Sequence, residues 1–176
     1  GTDNKNYVLA SDTDSVYITF DELVNKSFKT EGVASENESG LQTERVVQFL
    51  DRLAREKIEP FIDKSYQSLA EYVSAYDQKM SMKREVIADK GIWTAKKRYI
   101  LNAWDIEGVK YKEPQLKIMG LEAVKSSTPA PCRQKIKDAL KIIMSGNEKM
   151  LNTFIQEFRE EFMKLPPEEI AYPRSL

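Results

Sequence analysis

The spacing at which apolar residues recur changes several times along this 176-residue chain, and those changes limit what it can fold into. In S-V-Y-I-T-F (15–20) Val16, Ile18 and Phe20 alternate, the period of a strand with one face buried. A second apolar run, Tyr7 to Leu9, precedes it, and the polar step at Asp12-Thr13 separates the two. This predicts a β-hairpin with its tip near Asp12 to Asp14. Residues 27–43, rich in Ser, Glu and Gly, read as a loop. The period then lengthens. Val46, Val47, Leu50, Leu53 and Ala54 fall at helical spacing behind Thr43, a candidate N-cap. Pro60 suits the first turn of a second helix with Ile62, Tyr66, Leu69, Val73 and Tyr76 on one face. Both stripes read as core. From Met80, segments 81–88 and 92–103 read as strands around a turn at Lys90-Gly91, and 115–119 as a short strand ending at Gly120. Thr128-Pro129 opens a helix with Ile136, Leu140 and Ile143, broken at Ser145-Gly146-Asn147. A last helix, from about Glu148 to Lys164, aligns Leu151, Phe154, Ile155, Phe158 and Phe162 and stops at Pro166-Pro167. Hairpin and antiparallel strands packed with helices, then helices alone, make this an α+β chain.

Composition removes whole classes of chemistry. There is no histidine, so neither an imidazole-based nucleophile nor a His-ligated zinc is possible within these residues. The single cysteine, Cys132, cannot form an internal disulfide, which suits a reducing compartment. No apolar run approaches the roughly 18 residues that span a bilayer, so no membrane partner is expected. Chemistry must come from carboxylates, lysines, arginines, tyrosines and bound metal.

The charge is uneven. Overall it is −1, which excludes a basic wrapper of nucleic acid. Yet residues 79–125 hold 11 basic against 6 acidic side chains, and the remainder 16 against 22. A basic middle of this kind can present a phosphate-binding face that the overall charge hides. Within it, Lys96-Lys97-Arg98-Tyr99 falls on a predicted strand, where Lys97 and Tyr99 would share a face. A lysine beside an aromatic suits contact with backbone phosphate plus packing on sugar or base. A solvated strand with scattered charges is the plainer alternative.

Asp12-Thr13-Asp14-Ser15 is the sharpest local feature. Two ionised aspartates this close repel, and a divalent cation would relieve the cost. Mg²⁺ takes hard oxygens, commonly one or two carboxylates completed by phosphate and water. A bare D-x-D can equally stabilise its own turn. A hydrophobic strand followed by D-x-D also opens the haloacid-dehalogenase-like phosphatases. The Gly-Thr expected after the second Asp is missing here, and no Asp follows Asp138 to supply that family's later acidic motif.

Nucleotidyl transfer fits better. Y-V-L-A-S-D-T-D-S-V-Y-I-T-F (7–20) resembles the Y-G-D-T-D-S motif of family B DNA polymerases, with Ala10 and Ser11 where Tyr-Gly usually stand. Lys96-Lys97-Arg98-Tyr99 resembles their K-K-R-Y motif. E-P-Q-L-K-I-M-G-L-E (113–122), followed by S-S-T-P (126–129), resembles the passage from palm to thumb. The order and spacing are those of the T4-like phage members in particular.

The resemblance implies template-directed nucleotidyl transfer supported by two Mg²⁺ ions, in a phage enzyme of DNA replication working in the cytoplasm of an infected bacterium. Its partners would be primer-template DNA and deoxynucleoside triphosphates. It makes Asp14 the catalytic metal ligand, with Asp12 beside it. It places Lys97 and Tyr99 on the primer strand, Lys96 and Arg98 in support, and Lys117 and Gly120 near the duplex, where glycine would let backbone approach phosphate. It assigns residues 1–120 to the C-terminal part of a palm and 121–176 to the base of a thumb. The family's upstream D-x-x-S-L-Y-P strand and K-x-x-x-N-S-x-Y-G nucleotide-binding helix do not occur in these residues. The chain is therefore expected to be a piece of a polymerase, inactive alone, with an underpaired hairpin edge that favours self-association. A non-catalytic nucleic-acid-binding module using the same basic strands is the second function class.

Overall fold

A computed structural model describes residues 6–28 and 36–171. It confirms the α+β reading. Strands β1 (Val8–Asp12) and β2 (Ser15–Ile18) pair antiparallel, in the register Ala10↔Tyr17, Ser11↔Val16, Asp12↔Ser15, with an irregularity between Val8 and Ala10. The predicted hairpin is present with its tip at Thr13-Asp14. A short helix, α1 (Asp21–Ser27), follows and carries Asp21 and Glu22 in its first turn, where they complement the helix dipole.

The loop expected over 27–43 is only partly testable, because residues 29–35 lie outside the described ones. Helix α2 (Glu36–Leu53) already occupies 36–43, so Thr43 is inside a helix and not its cap. Pro60 does fall in the first turn of the next helix, but that helix does not stand apart. A π-helical turn (Ala54–Ile58) joins α2 directly to α3 (Glu59–Tyr72), and the Glu59 N–H reaches back five residues to the Ala54 carbonyl. Proline lacks the donor for the carbonyl four residues back and clashes with it, and a widened turn is one way to carry the helix past. Ala54, Ile58, Ile62, Tyr66 and Ala70 step by four along this rod and are buried or half-buried. The predicted stripe continues to Tyr76, but α3 ends at Tyr72; Leu69, Val73 and Tyr76 are exposed and not core.

Strands β3 (Val86–Ala95), β4 (Arg98–Ile106) and β5 (Val109–Met119) form a second sheet in that order. Both links are two residues long, which only antiparallel neighbours allow. The turn is not at Lys90-Gly91. β3 runs straight through, because Gly91 is needed for packing: a Cβ there would lie 2.7 Å from the Trp93 ring and 2.9 Å from Leu101. The chain reverses instead at Lys96-Lys97, where Lys97 alone has a positive φ, and again at Glu107-Gly108, where both residues do, as in a type I′ hairpin.

Helices α4 (Ala130–Ser145) and α5 (Glu148–Phe162) match the two predicted at the C-terminal end, followed by the short α6 (Pro167–Ile170). Lys90 Nζ donates to the Met144 carbonyl at 2.7 Å, satisfying an end of α4. Asn147 caps α5 by accepting from Met150 N–H at 3.0 Å. Lys135 lies 5.6 Å from the ring centroids of both Phe154 and Phe158, so α4 holds α5 by its charge as well as by apolar contact.

Two compact units result. The first comprises residues 1–87 and 104–110; the second comprises 88–103 and 111–176. Val47, Ala54, Ala70 and Ile87 are buried in the first, where the Phe28 and Phe49 rings also meet edge to face at 5.5 Å. The second is built on Ile100, Leu121, Ala123, Leu140 and Met144, flanked by Ile92, Leu116, Ile118 and Ile136. Among the described residues no helix is long and apolar enough to cross a membrane.

Candidate metal and nucleic-acid sites

In the first unit, the β1–β2 hairpin delivers Asp12 and Asp14 to its tip. Asp12 closes β1 opposite Ser15 and is half-buried, while Asp14 stands exposed in the turn. Between them Thr13 has φ 47°, a left-handed conformation that is rare for a β-branched residue and costs of order 1–3 kcal/mol. Local hydroxyls oppose that cost: Thr13 Oγ1 donates to Asp12 Oδ1 and Ser15 Oγ to the Asp12 carbonyl, both at 3.1 Å. Asp12 thus does steady its own turn. Among the described residues no group of three or more acidic or thiol side chains converges. Two carboxylates two residues apart are a donor set that fits Mg²⁺ held jointly with phosphate and water, and not a cage made of protein alone.

In the second unit, the K-K-R-Y segment is not one continuous strand. Lys96 and Lys97 are the exposed turn between β3 and β4, Lys97 with φ 60°. Arg98 and Tyr99 begin β4 and are half-buried. The Tyr99 ring lies 6.5 Å from that of Trp93 at 36°. The reversal at Lys97 replaces the strand alternation that would have put Lys97 and Tyr99 on one face.

Gly120, just past the end of β5, has φ 69°. A Cβ there would fall 2.2 Å from the Lys97 carbonyl oxygen and 3.2 Å from Arg98 Cγ. Its missing side chain lets the chain after β5 press on the backbone of the basic turn. That contact alone demands glycine. Lys117, three residues earlier on β5, is half-buried.

Sequence reasoning passed over Glu122. It opens the 3₁₀ turn Glu122–Val124 and takes Arg98 Nη2 on Oε1 at 2.9 Å and on Oε2 at 2.7 Å. Lys125 Nζ also donates to Oε1, at 3.2 Å. Its own backbone N–H, then Lys125 and Arg98, lower its carboxyl to about 2. An acid two residues past Gly120 in an otherwise basic stretch was the available signal.

A buried ion cluster was also missed. In the first unit Arg84 donates to Asp51 Oδ1 from Nη2 and Nε, at 2.5 and 3.1 Å, and from Nη1 to Asp105 Oδ1. Burial alone would lower the Arg84 pKa, but hydrogen bonds and charge from Asp105 and Asp51 raise it. Asp105 is fully buried; its Oδ1 also accepts the Gly108 N–H of the type I′ turn at 2.9 Å. Asp105 Oδ2 has no partner among the described residues. The signal was an acid between Trp104 and Ile106 on a strand, where acids are depleted.

Comparison with known proteins agrees with the motifs. A family profile described as divergent family B DNA polymerase matches residues 2–157. The DNA-directed DNA polymerase of Escherichia phage RB69 is 41% identical over 157 residues, covering 84% of this chain and 16% of the relative. That of Enterobacteria phage T4 is 32% identical over 179 residues, covering 97% of this chain and 19% of the relative. The chain therefore spans less than one fifth of either phage polymerase. With the profile covering both the aspartate hairpin and the basic turn, this chain belongs to the divergent family B DNA polymerases.

Proposed function

We propose that this chain is the part of a phage DNA-directed DNA polymerase that supplies one carboxylate corner of the metal site and a basic grip on the primer strand. The observation that carries this is that the D-T-D-S hairpin and the Lys96–Tyr99 turn both fall within the matched residues 2–157. Asp14, with Asp12 beside it, would hold Mg²⁺. Divalent ions bound in such a site promote attack by the primer 3′-oxygen and offset charge on the departing pyrophosphate. The chain's own part is to present the Asp14 carboxylate on a turn that Asp12, Thr13 and Ser15 steady. Lys96 and Lys97 meet primer phosphates, Tyr99 packs against sugar or base, and Arg98, Lys117 and Gly120 shape that surface. Residues to about 120 would then serve as palm and the later helices as the base of a thumb. The working compartment would be the cytoplasm of an infected bacterium.

Two carboxylates hold Mg²⁺ weakly without further donors, so the 176-residue chain alone should not extend a primer. It should still bind primer-template DNA with strong salt dependence and little sequence preference. Fluorescence anisotropy of a labelled primer-template with the chain and its Lys96→Ala/Lys97→Ala variant tests the grip; equal affinities would refute it. Broadening of the Asp14 backbone resonance by Mn²⁺, lost in Asp14→Asn, tests the metal corner. Primer extension by the chain that Asp14→Ala abolishes would show the site to be complete after all. Among the described residues β1 and β2 pair only with each other, leaving an open edge beside exposed Val8 and Leu9. We expect concentration-dependent self-association there, and a purely monomeric sedimentation profile at high concentration would refute it.

A further inference from the structure

The cation that should help grip the primer is already engaged. Arg98 gives Nη2 to both oxygens of Glu122, and Lys125 gives its ammonium to one of them. A single carboxylate thus sits between two cations, joined to Arg98 by a close contact of 2.7 Å. All three side chains are open to solvent: Arg98 is 39%, Glu122 48% and Lys125 46% exposed. An exposed pair of this kind contributes little to stability. A phosphate oxygen has the same charge and the same appetite for N–H donors as the carboxylate. The position of the triad is also pinned, since Gly120 seats the segment before Glu122 against the backbone of Lys97 and the side-chain stem of Arg98.

We propose that Glu122 is a built-in competitor for DNA phosphate, occupying Arg98 and Lys125 in the free protein and releasing them when a primer phosphate takes its place. This rests on the reading that the Lys96–Tyr99 turn meets the primer backbone. Glu122 would then weaken the grip on any duplex while leaving its sequence tolerance unchanged, which lets a bound strand move on. The depressed pKa of its carboxyl, owed first to its own backbone N–H and then to Lys125 and Arg98, agrees with a group that stays ionised in this arrangement.

The test uses the full 176-residue chain and a fluorescein-labelled primer-template duplex of arbitrary sequence, with anisotropy read from 50 to 200 mM salt. Glu122→Gln should bind more tightly, and Glu122→Ala should do the same. Each cation released to a phosphate steepens the log–log salt dependence by about 0.9. Because the wild type also yields both cations to phosphate once bound, Glu122→Gln should keep about the wild-type slope and bind more tightly by a similar factor at every salt concentration. In an Arg98→Ala/Lys125→Ala background the Glu122→Gln effect should vanish. Unchanged or weaker binding by Glu122→Gln would overturn the proposal, the latter by showing that Glu122 positions Arg98 for DNA. An undiminished gain in the Arg98→Ala/Lys125→Ala background would also overturn it, because the effect would then be long-range charge alone. Lys96→Ala/Lys97→Ala distinguishes the underlying reading. If that variant weakens binding and Glu122→Gln does not strengthen it, only the competitor falls; if it binds as wild type does, or wild type binds no DNA, both fall.

Discussion

Replacing Gly120 by alanine should be far more costly than the same change at Gly108, though both glycines have positive φ, 69° and 89°. At Gly108 nothing lies within 4 Å of the added Cβ, so only the conformational penalty applies, about 1 kcal/mol. At Gly120 the Cβ would fall 2.2 Å from the Lys97 carbonyl oxygen, a backbone atom that cannot swing aside as a side-chain end would. Overpacking of this kind adds about 1–3 kcal/mol, for a total of about 2–4 kcal/mol. Urea unfolding of both variants, followed by tryptophan fluorescence, measures the difference. With a slope of about 2 kcal/mol per molar, Gly120→Ala should lower the midpoint by about 1–2 M and Gly108→Ala by about 0.5 M. Equal midpoints for the two variants would refute the close approach of Gly120 to the basic turn. Gly120→Ala should also weaken primer-template binding, because the turn can only make room by moving.

Arg84→Met should destabilise the chain by about 3–5 kcal/mol, because it strands the fully buried Asp105 carboxylate. Adding Asp105→Leu should recover part of that loss, and a double variant no more stable than the single one would contradict the account. Glu122, its pKa depressed to about 2, should remain ionised well below the ordinary 4.5. Its contribution to stability is then complete above pH 4.5 and lost only as pH falls through about 2. Carboxyl NMR titration should show that midpoint, and Arg98→Ala should raise it only partly, since the residue's own backbone N–H is the largest cause. Asn147→Ala removes the cap on Met150 N–H and should cost about 1 kcal/mol in thermal unfolding.

The elements whose period is clean were legible in the sequence. The alternation of Val16, Ile18 and Phe20 gave the hairpin strand but not its face, since Val16 and Ile18 are exposed and Tyr17 is half-buried; the Pro129 and Asn147 neighbourhoods gave the last two long helices. The breaks were misread where one residue type serves two purposes. Gly91 suggested a turn but exists to clear the Trp93 ring. The true turn sits at Lys96-Lys97, where no glycine or asparagine announces it and a lysine takes the left-handed conformation. Pro60 suggested a helix start and does fall in the first turn of α3, but that helix continues from a widened turn and does not stand apart. Of the candidate site, Asp12, Asp14 and the K-K-R-Y residues were named from motifs. Glu122 and the Arg84–Asp51–Asp105 cluster left only an out-of-place acid as a signal, because Arg98 and the partners in the cluster are distant in sequence. Arg84 and Asp51 stand 33 positions apart, and only the fold joins them.

The widened turn at Ala54–Ile58 also bears on how chains of this family can differ in length. A π turn accommodates one residue more than the α-helix around it, so removing one there leaves the faces of α2 and α3 in phase with each other. What removal would restore is the carbonyl four positions before Pro60, with which the proline ring collides. The surplus residue and the proline are thus a linked pair, expected to be gained or lost together. Deleting Glu56 alone should break the rod, and deleting it together with Pro60→Ala should leave an unbroken helix from Glu36 to Tyr72.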